Sequence, residues 1–467
     1  MEQIHSAVTR HRDFFLSGKT KDLSFRIQQL KKLQKAIKNN EKRIFSAMKH
    51  DLGKSPYEAY STEVGLVYEE IQYQMRHLRK WARPRRVRSD VINIDARSFI
   101  HYEPFGTVLI MAPWNYPFNL VFAPLAGALA AGNCAVVKPA DYSKEVTDVI
   151  CDIINEAFDP SYVSVFTGDR TVNQALLEER YDLVFFTGSP SLGRYVMEKA
   201  SKNLTPVVLE LGGKSPAIVD EDADIAVAAR RIAFGRFLNS GQTCIAPDYA
   251  FVHESVKDAF IKELQVNVKD FFGEDASKSP DYGRIINARQ HDRLKKLLAT
   301  GKLAFGGSYK DGERYIEPSV MIDVKGDDPV MREEIFGPIL PIMTFTHIDD
   351  VVSFVNAHEK PLALYYFSKS RWRQRDVMLR TTSGGMCIND TLMHQTNPRL
   401  PFGGVGNSGM GRYHGAFSFE TFSNRRSVIA RSAWFDPNVR YMPYKKSVFH
   451  MARRIFEKKR LSSICVR

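Results

Sequence analysis

The stretch TVLIMAPWNYPFNLVFAPLAGALAAGNCAVVKPA, residues 107–140, decides the fold class of this chain. It opens with TVLIMAP, an apolar run of the length expected for a buried strand. LVFAPLAGALAAG (120–132) has the pattern of a helix, and NCAVVKPA has that of a second strand. Two strands joined through a helix form a βαβ unit, in which the strands run parallel.

The same alternation of strands and helices forms two series, one before and one after residue 210. Before it we predict a helix at KEVTDVICDIINEAF, helices from about Thr171 and Ser191, and strands at VSVFTG, DLVFFTGS and PVVLELGG. A second α/β series runs from Pro216 to about Asn389, with strands PAIVD, DYAFVHE, ILPIMTF and GMCIND. Parallel sheets of this kind bind ligands outside the carboxyl ends of their strands.

The remaining segments lie outside these two series. Residues 19–50 and 62–82 have apolar residues at helical spacing, whereas 98–106 and 416–431 look extended. The two extended segments suggest an arm that pairs with another subunit. We therefore predict an α/β fold with a Rossmann-like parallel sheet, a second α/β domain and a small β arm.

Length and composition limit the class of protein. A chain of 467 residues exceeds the roughly 250–300 at which a single core stops growing, so we expect two large lobes. Hydrophobic residues make up 44%, and mean hydropathy is −0.29, which is ordinary for a globular protein in water. The N-terminus, MEQIHSAVTRHRDFF, has no apolar signal core, so we expect no export and a cytoplasmic location.

The five cysteines are odd in number, widely scattered and form no CxxC pair: Cys134, Cys151, Cys244, Cys387 and Cys465. This usage disfavours a disulfide framework and a zinc site, and it fits a reducing cytosol. We expect no metal in this protein.

The net charge of +13 is concentrated at the C-terminus. From Arg425 to Arg467 there are twelve basic residues, against only Asp436 and Glu457. No nucleic-acid-binding motif accompanies this excess, so we expect no nucleic-acid partner.

The basic tail YKKSVFHMARRIFEKKRL (444–461) has a mixed character. Val448, Met451, Ile455 and Phe456 line one face if the tail is helical. We favour a basic helix packed on the body of the protein, or a frayed end. The alternative is weak peripheral contact with an anionic membrane surface.

Cys244 stands in FLNSGQTCIAPDY (237–249), in a turn that follows a predicted helix. A lone cysteine is usually a buried structural residue. This one lies in a polar loop beside Gly241, and glycine there lets the backbone expose a side chain at close quarters. Cys134, Cys151 and Cys387 lie in apolar patterns and are predicted to be core residues. Cys244 is therefore the candidate nucleophile.

Two further polar residues follow strands of the first series. Glu210 ends the strand in VVLELGGKSP (207–216); the alternative to catalysis is a carboxylate paired with a nearby Lys or Arg. Asn115 lies in MAPWNYPFNLVFAPL (111–125), between a strand and a helix. Its amide suits an oxyanion, but an Asn there also caps helices.

Several segments have the character of a dinucleotide site. Lys138 and Asp141 in VVKPADYS (136–143) suit the hydroxyls of a ribose. FFTGSPSLGR (185–194) brings backbone N–H groups to a helix N-terminus, where a pyrophosphate binds, although GSPSLG is not GxGxxG. Two more segments stand out: REEIFGP (332–338) and the glycine-rich LPFGGVGNSGMGRYHG (400–415). The glycines of the latter suggest close backbone contact, and a tight connecting loop is the alternative.

Taken in order, these seven segments resemble the aldehyde dehydrogenase superfamily over nearly the whole chain. NSGQTCIAPDY, INDTLMH, the short N-terminus and the extended basic C-terminus resemble its class 3 branch, which acts on fatty or aromatic aldehydes. The resemblance implies NAD(P)-dependent oxidation of medium- or long-chain aliphatic, or aromatic, aldehydes to carboxylic acids. It also suggests a homodimer.

Roles follow from the resemblance residue by residue. Cys244 is then the nucleophile that forms a thiohemiacetal and a thioester, Glu210 the general base, and Asn115 an oxyanion donor together with the Cys244 N–H. The expected cofactor contacts are Trp114, Lys138, Asp141, Gly188, Ser189, Glu334 and Phe336. Asp141 stands where many NAD-preferring members carry Glu, so we expect NAD to be used and NADP to be accepted as well.

The resemblance also implies a division into domains: a dinucleotide-binding domain (1–82 and 107–209), a catalytic domain (210–400), bridging strands (83–106 and 401–431) and a basic extension (432–467). Two other functions stay open. One is a CoA-acylating enzyme that passes its acyl group to CoA. The other is a non-catalytic binding protein of the same fold.

Overall fold

The computed structural model of the protein describes residues 2–90, 93–434 and 436–462, with side chains as far as Glu457. Cys465 lies outside the described residues. The helices are α1 (Glu2–Leu16), α2 (Leu23–Leu52), α3 (Pro56–Ala59), α4 (Gly65–Trp81), α5 (Asn119–Ala131), α6 (Lys144–Ala157), α7 (Arg170–Glu178), α8 (Pro190–Ser201), α9 (Ile225–Phe237), α10 (Lys257–Phe272), α11 (Ala288–Leu298), α12 (Pro329–Arg332), α13 (Ile348–Ala357), α14 (Arg371–Arg380), α15 (Ala416–Thr421) and α16 (Lys446–Ser462).

The strands alternate with these helices through most of the chain. They are β1 (Arg85–Val87), β2 (Ala96–Pro104), β3 (Thr107–Met111), β4 (Cys134–Lys138), β5 (Val163–Val165), β6 (Leu183–Thr187), β7 (Val207–Glu210), β8 (Pro216–Val219), β9 (Tyr249–His253), β10 (Lys302–Phe305), β11 (Tyr309–Lys310), β12 (Tyr315–Ile316), β13 (Ser319–Ile322), β14 (Ile339–Phe345), β15 (Ala363–Phe367), β16 (Gly385–Ile388), β17 (Gly409–Met410) and β18 (Ser423–Arg431).

Two large sheets organise the chain, and the predicted α/β class is confirmed. The first has the order β17-β7-β6-β3-β4-β5, parallel except for β17. The second has the order β10-β13-β14-β9-β8-β15-β16, parallel except for β10. The parallel neighbours in these sheets are reached through connections that contain helices, such as α5 between β3 and β4 and α9 between β8 and β9.

Strand β3 has a continuous apolar sequence because both of its faces are covered. Val108 and Ile110 pack in a core cluster with residues of α2, α5 and α6. Leu109 and Met111 point to the opposite face, in a cluster with residues of α1, α7 and α8. The run TVLIM is therefore buried throughout.

The chain divides into two compact units. The larger comprises Met1–Arg83 and Tyr102–Arg425, and it contains both large sheets. The smaller comprises Pro84–His101 and Arg426–Arg467. Strands β1, β2 and β18 form a three-stranded sheet in which β1 and β2 are antiparallel. The functional domain boundaries expected above stay a prediction.

Two expectations about elements were wrong. Helix α1 precedes the first helix that we predicted, and it buries Ile4, Ala7, Val8 and His11. Residues 416–431 are not extended throughout, because α15 occupies Ala416–Thr421 before β18 begins. A Cβ on Gly127 of α5 would lie 2.7 Å from Ser418, so glycine permits a close approach of α15 to α5. None of the described helices is long and apolar enough to span a membrane.

Candidate active site

The carboxyl ends of four strands of the first sheet lie at one edge. Met111 of β3 pairs with Lys138 of β4, and Thr187 of β6 pairs with Glu210 of β7. Met111 also pairs with Phe186, which brings the two pairs into register. The segment after β3, the end of β4, the turn after β6 and the end of β7 therefore meet where parallel sheets bind ligands.

Glu210 is a buried carboxylate at this edge, with 2% of its surface exposed. Neither of its oxygens has a hydrogen-bond partner among the described residues. Burial raises the pKa of Glu210 well above its usual value, and the positive charge of Arg412 opposes this in part. The alternative of a carboxylate held in a contact ion pair does not apply, because no ion pair to Glu210 is present among the described residues.

Cys244 follows a strained turn at the end of α9. Asn239 and Ser240 both have φ 52°, and Gly241 has φ 73°. A Cβ on Gly241 would lie 2.3 Å from the carbonyl oxygen of Gly337, so only glycine fits there without a shift. Backbone strain of this kind clusters at functional sites, where surrounding contacts hold it in place.

The Cys244 thiol lies in an environment that favours its neutral form. Its residue is partly accessible to solvent. Desolvation raises the pKa of the thiol, and the negative charges of Glu334 and Glu210 raise it further. The backbone N–H groups of Cys244 and Ile245 have the opposite effect. Because the thiolate is the reactive form, this site requires a group that removes the proton.

Asn115 joins the strand edge to the loop of Cys244. Its side-chain amide donates to the carbonyl oxygen of Gln242 at 3.0 Å. The hydroxyls of Tyr116 and Thr243 share a hydrogen bond of 2.6 Å. An amide nitrogen carries two hydrogens, so one donor of Asn115 is engaged by Gln242 and one is left. Asn115 does not cap α5, at whose N-cap position Phe118 stands.

The expected ribose and pyrophosphate contacts lie at the same edge. Lys138 is buried, its amine donates to the Pro139 carbonyl at 2.8 Å, and burial lowers its pKa against the opposing charges of Asp141 and Asp169. Asp141 is exposed. Ser189, directly after Gly188, is the exposed N-cap of the twelve-residue helix α8.

Glu334 and Phe336 come from the loop before β14 of the second sheet. A Cβ on Gly212 would lie 2.0 Å from a carboxylate oxygen of Glu334, so the glycines of the ELGGK segment form a cradle for this side chain. The pKa of Glu334 is raised to about 8 by burial and then by the charge of Asp248, with the Gly213 N–H opposing. The ring of Phe336 meets that of Trp114 edge-on, with centroids 5.4 Å apart.

Sequence reasoning missed three tyrosines around the thiol: Tyr116, Tyr365 and Tyr413. Tyr365 donates its hydroxyl to the carbonyl oxygen of Ile245 at 2.5 Å. The pKa of Tyr413 lies above its usual value because of burial and then the charges of Glu210 and Cys244. The sequence did offer a signal for two of them: Tyr116 lies beside Asn115, and Tyr413 lies within the glycine-rich stretch. Tyr365 lies within β15 and has none.

The other described cysteines occupy core positions. Cys134 and Cys387 are buried, and Cys151 is partly buried. Burial raises the pKa of Cys134 to about 12 and that of Cys151 and Cys387 to about 11. The pKa of Cys244 is raised as well, so these three cysteines differ from it in position: they lie in β4, α6 and β16, whereas Cys244 follows a strained turn.

One group of three side chains has ligand atoms within 4.8 Å of one another: His291, Asp292 and Asp311. The ammonium of Lys295 lies 2.6 Å from Asp311 and 4.0 Å from Asp292. A lysine therefore already offsets part of the negative charge of this cluster.

Comparison with known proteins places the chain among enzymes. Residues 1–428 match the model of the aldehyde dehydrogenase family. The chain is 46% identical over 432 residues to the dimeric, NADP-preferring aldehyde dehydrogenase of Rattus norvegicus, covering 92% of this chain and 95% of the relative. It is 45% identical over 432 residues to aldehyde dehydrogenase family 3 member B1 of Homo sapiens, covering 92% of each. The solved structure of Staphylococcus aureus AldH in its substrate-bound state superposes with a TM-score of 0.95 at 47% identity, covering 97% of this chain and 99% of that one.

Proposed function

This chain belongs to the aldehyde dehydrogenase family, close to its family 3 members, and from that premise we propose that it oxidises aldehydes to carboxylic acids through Cys244 and Glu210. The observation that carries this assignment is the contact of the Asn115 amide with the loop of Cys244, at 3.0 Å from the Gln242 carbonyl. This contact supports a site that combines the nucleophile Cys244 with the oxyanion donor Asn115.

The first step is attack of the Cys244 sulfur on the aldehyde carbonyl carbon. The thiol proton passes to a water molecule and on to solvent, a C–S bond forms, and the carbonyl oxygen becomes an oxyanion. The free hydrogen of the Asn115 amide and the N–H of Cys244 stabilise that oxyanion. Loss of one such donor typically costs about 10²–10³ in rate.

The residues at the strand edge fit a nicotinamide dinucleotide. The buried amine of Lys138, which donates to the Pro139 carbonyl, and the exposed Asp141 suit a ribose. Gly188 and Ser189 at the N-terminus of α8 suit a pyrophosphate. Glu334, Phe336 and Trp114 suit the nicotinamide ribose and ring. The bound dinucleotide supplies the hydride acceptor that converts the thiohemiacetal to a thioester.

The second half of the reaction is hydrolysis of that thioester. Glu210 takes a proton from water, and the hydroxyl adds to the acyl carbon. The C–S bond then breaks, the carboxylic acid leaves, and the Cys244 thiolate takes up the proton that Glu210 removed from water. The raised pKa of Glu210 makes it a stronger base than an exposed carboxylate. General-base catalysis typically contributes about 10²–10⁴-fold.

Substrates are proposed to be medium- or long-chain aliphatic, or aromatic, aldehydes. Tyr116 is hydrogen-bonded to Thr243 and Tyr365 to the Ile245 carbonyl, so an aromatic side chain contacts each neighbour of Cys244 in the chain, which supports an apolar acyl group. Retention of Glu210 favours water over CoA as acyl acceptor. Formation of acyl-CoA, with stimulation by CoA, would overturn hydrolysis as the second step.

The experiment that tests the function is NADH formation across aliphatic and aromatic aldehydes, with Cys244→Ala as control. Removal of a covalent nucleophile typically lowers turnover by more than about 10⁴-fold. Activity that survives Cys244→Ala defeats the assignment. A folded protein that binds dinucleotide but oxidises no aldehyde favours the non-catalytic alternative.

We propose that the protein is a homodimer formed through its β arm. Strand β16 lies at the edge of the second sheet, and Ile388 at its end is 40% exposed. An exposed edge accepts a further strand, here one from the arm of a second copy. Light scattering measures the mass against 53.2 kDa for one chain, and a monomer at all concentrations contradicts the dimer.

The C-terminal helix supports weak contact with an anionic membrane. In α16, Phe449 is 60% exposed, Phe456 59% and Met451 45%, among several arginines and lysines. Exposed aromatic residues on a basic helix suit a lipid interface. Co-sedimentation with anionic liposomes is expected to fall when residues 444–467 are removed, and equal binding by both forms ends this proposal. The cytoplasmic location stays a prediction, which cell fractionation checks.

A further inference from the structure

Lys54 and Glu63 form an ion pair that is sealed inside the protein. The Lys54 amine lies 2.6 Å from Oε1 of Glu63, and both side chains are fully buried. Buried pairs carry a large desolvation cost and contribute little net stability. Glu63 lies in a π-helical turn, Tyr60–Val64, between α3 and α4. Such turns are frequent at functional sites.

Lys54 and Glu63 also form hydrogen bonds with the segment that carries Asn115. Lys54 donates to the backbone carbonyl oxygen of Asn115 at 3.1 Å, and its amine lies 4.1 Å from the centre of the Tyr116 ring. The other oxygen of Glu63 accepts from the N–H of Phe118 at 2.8 Å and from that of Asn119 at 3.2 Å. The pair thus holds residues 115–119 at both ends.

Asn239 joins this arrangement to the loop of Cys244. Its side-chain amide donates to the Asn115 carbonyl at 2.8 Å and to the Gln242 carbonyl at 3.1 Å. The Asn115 carbonyl therefore accepts from Lys54 and from Asn239, while the Asn115 side chain donates to Gln242. Two acceptor contacts on one peptide oxygen leave the backbone of Asn115 little freedom to rotate.

We infer that Lys54 and Glu63 are positioning residues for the oxyanion donor Asn115. This inference rests on the proposed function. Neither residue touches the substrate; each acts by fixing the backbone from which the Asn115 amide projects. Oxyanion donors act only when they are preorganised toward the place where charge develops. A displacement of about 1 Å at a reacting site can cost about 10²-fold in rate.

The test is a double-mutant cycle with Asn115→Ala. The main variant is Lys54→Met with Glu63→Gln, since replacing both partners leaves no unpaired buried charge and Gln retains an acceptor for Phe118. It is expected to lower kcat/KM for the aldehyde about tenfold to hundredfold, with KM for the dinucleotide unchanged. In the Asn115→Ala background the same change is expected to cost less than about twofold, because the group it positions is gone.

The matched control is Arg26→Met. Arg26 is a buried cation that donates to the carbonyl oxygens of Thr20 and Ala130, outside the segment 115–119 that Lys54 and Glu63 hold. Any activity it loses through general destabilisation is expected to be the same in both backgrounds. If the double variant does not fold, Glu63→Gln alone is measured and is expected to show a smaller loss that again disappears with Asn115→Ala.

An equal loss in both backgrounds overturns the inference, as does full activity in a folded variant. The unsubstituted chain distinguishes a failure of the proposed function from a failure of the positioning role. If that chain forms no NADH from any aldehyde, the function fails. If it does, and the cycle is additive, only the positioning role fails.

Discussion

Gly409 pairs directly with Glu210 across the antiparallel edge of the first sheet. A Cβ on Gly409 would lie 2.1 Å from the carbonyl oxygen of Leu209, so no larger residue fits there without a backbone shift. The glycine-rich stretch 400–415 thereby pairs with the end of β7 through β17. Burial removes the Glu210 carboxylate from bulk water, which is the physical cause of its raised pKa.

Glu210→Gln is expected to separate acylation from hydrolysis. Glutamine has the shape of Glu210 but takes no proton from water, so the thioester forms and persists. We expect one rapid turnover of NADH per chain, followed by a steady rate about 10²–10⁴-fold lower. Rapid-mixing kinetics measure the burst. Glu198→Gln, an exposed glutamate on α8, is the control and is expected to match the unsubstituted enzyme. Loss of the burst itself would assign Glu210 to the first step.

The pH profile of kcat follows from the same carboxylate. Burial raises the pKa of Glu210, and only the ionised form acts as a base. Turnover is therefore expected to fall as pH drops through that raised pKa, at a higher pH than the ordinary value of about 4.3 for Glu. The acid limb is expected to vanish in Glu210→Gln. An unchanged limb in that variant would assign the titration to another group.

Glu334 is expected to make stability depend on pH. Its pKa of about 8 in the folded protein exceeds the value of about 4.3 in an unfolded chain, so the folded state holds the extra proton between the two. This contribution is complete below the unfolded pKa and is lost as pH rises through about 8. Relative to Glu334→Gln, the Tm of the unsubstituted chain is expected to fall across this window. Parallel Tm curves for both proteins would contradict the assignment.

Gly241→Ala is expected to disable the loop of Cys244. The new Cβ would lie 2.3 Å from the Gly337 carbonyl oxygen and 2.9 Å from that of Arg236, at a φ of 73°. Strain of this kind typically costs about 1–3 kcal/mol and displaces the thiol, so both Tm and kcat are expected to drop. Gly312→Ala is the matched control, because its Cβ meets nothing within 4 Å. A fully active Gly241→Ala variant would argue against a strained loop.

The proposed choice between NAD and NADP depends on Asp141. Asp141 is exposed and shorter than Glu, so it crowds a 2′-phosphate less. We expect both dinucleotides to be accepted, NAD better, although the Rattus norvegicus relative is named as NADP-preferring. The measurement is kcat/KM with each. A preference beyond about 10³-fold, roughly 4 kcal/mol, contradicts dual use.

The sequence pattern was sufficient to predict an element where buried positions recur regularly along it. Strand β3 is covered on both faces, which demands an unbroken apolar run, and TVLIM displays it. Helix α1 was missed although its buried residues, Ile4, Ala7, Val8 and His11, have helical spacing. One of them is a histidine and another a small alanine, which weakens the apolar pattern. Helix α15 was missed because six residues are too few for periodicity to separate a helix from a strand.

The sequence by itself determined the α/β class and the identity of Cys244, Glu210 and Asn115 as candidates, since each lies at a strand or helix end within a recognisable segment. Only the tertiary structure decided that Lys54 and Glu63, remote along the chain, hold the backbone of Asn115. It also decided that Glu210 has no hydrogen-bond partner within the described part of the chain and that Glu334 lies in the cradle of Gly212. The reason is physical. Strand and helix patterns arise from neighbours in the chain, whereas desolvation and hydrogen bonding across a site depend on groups that folding alone brings together.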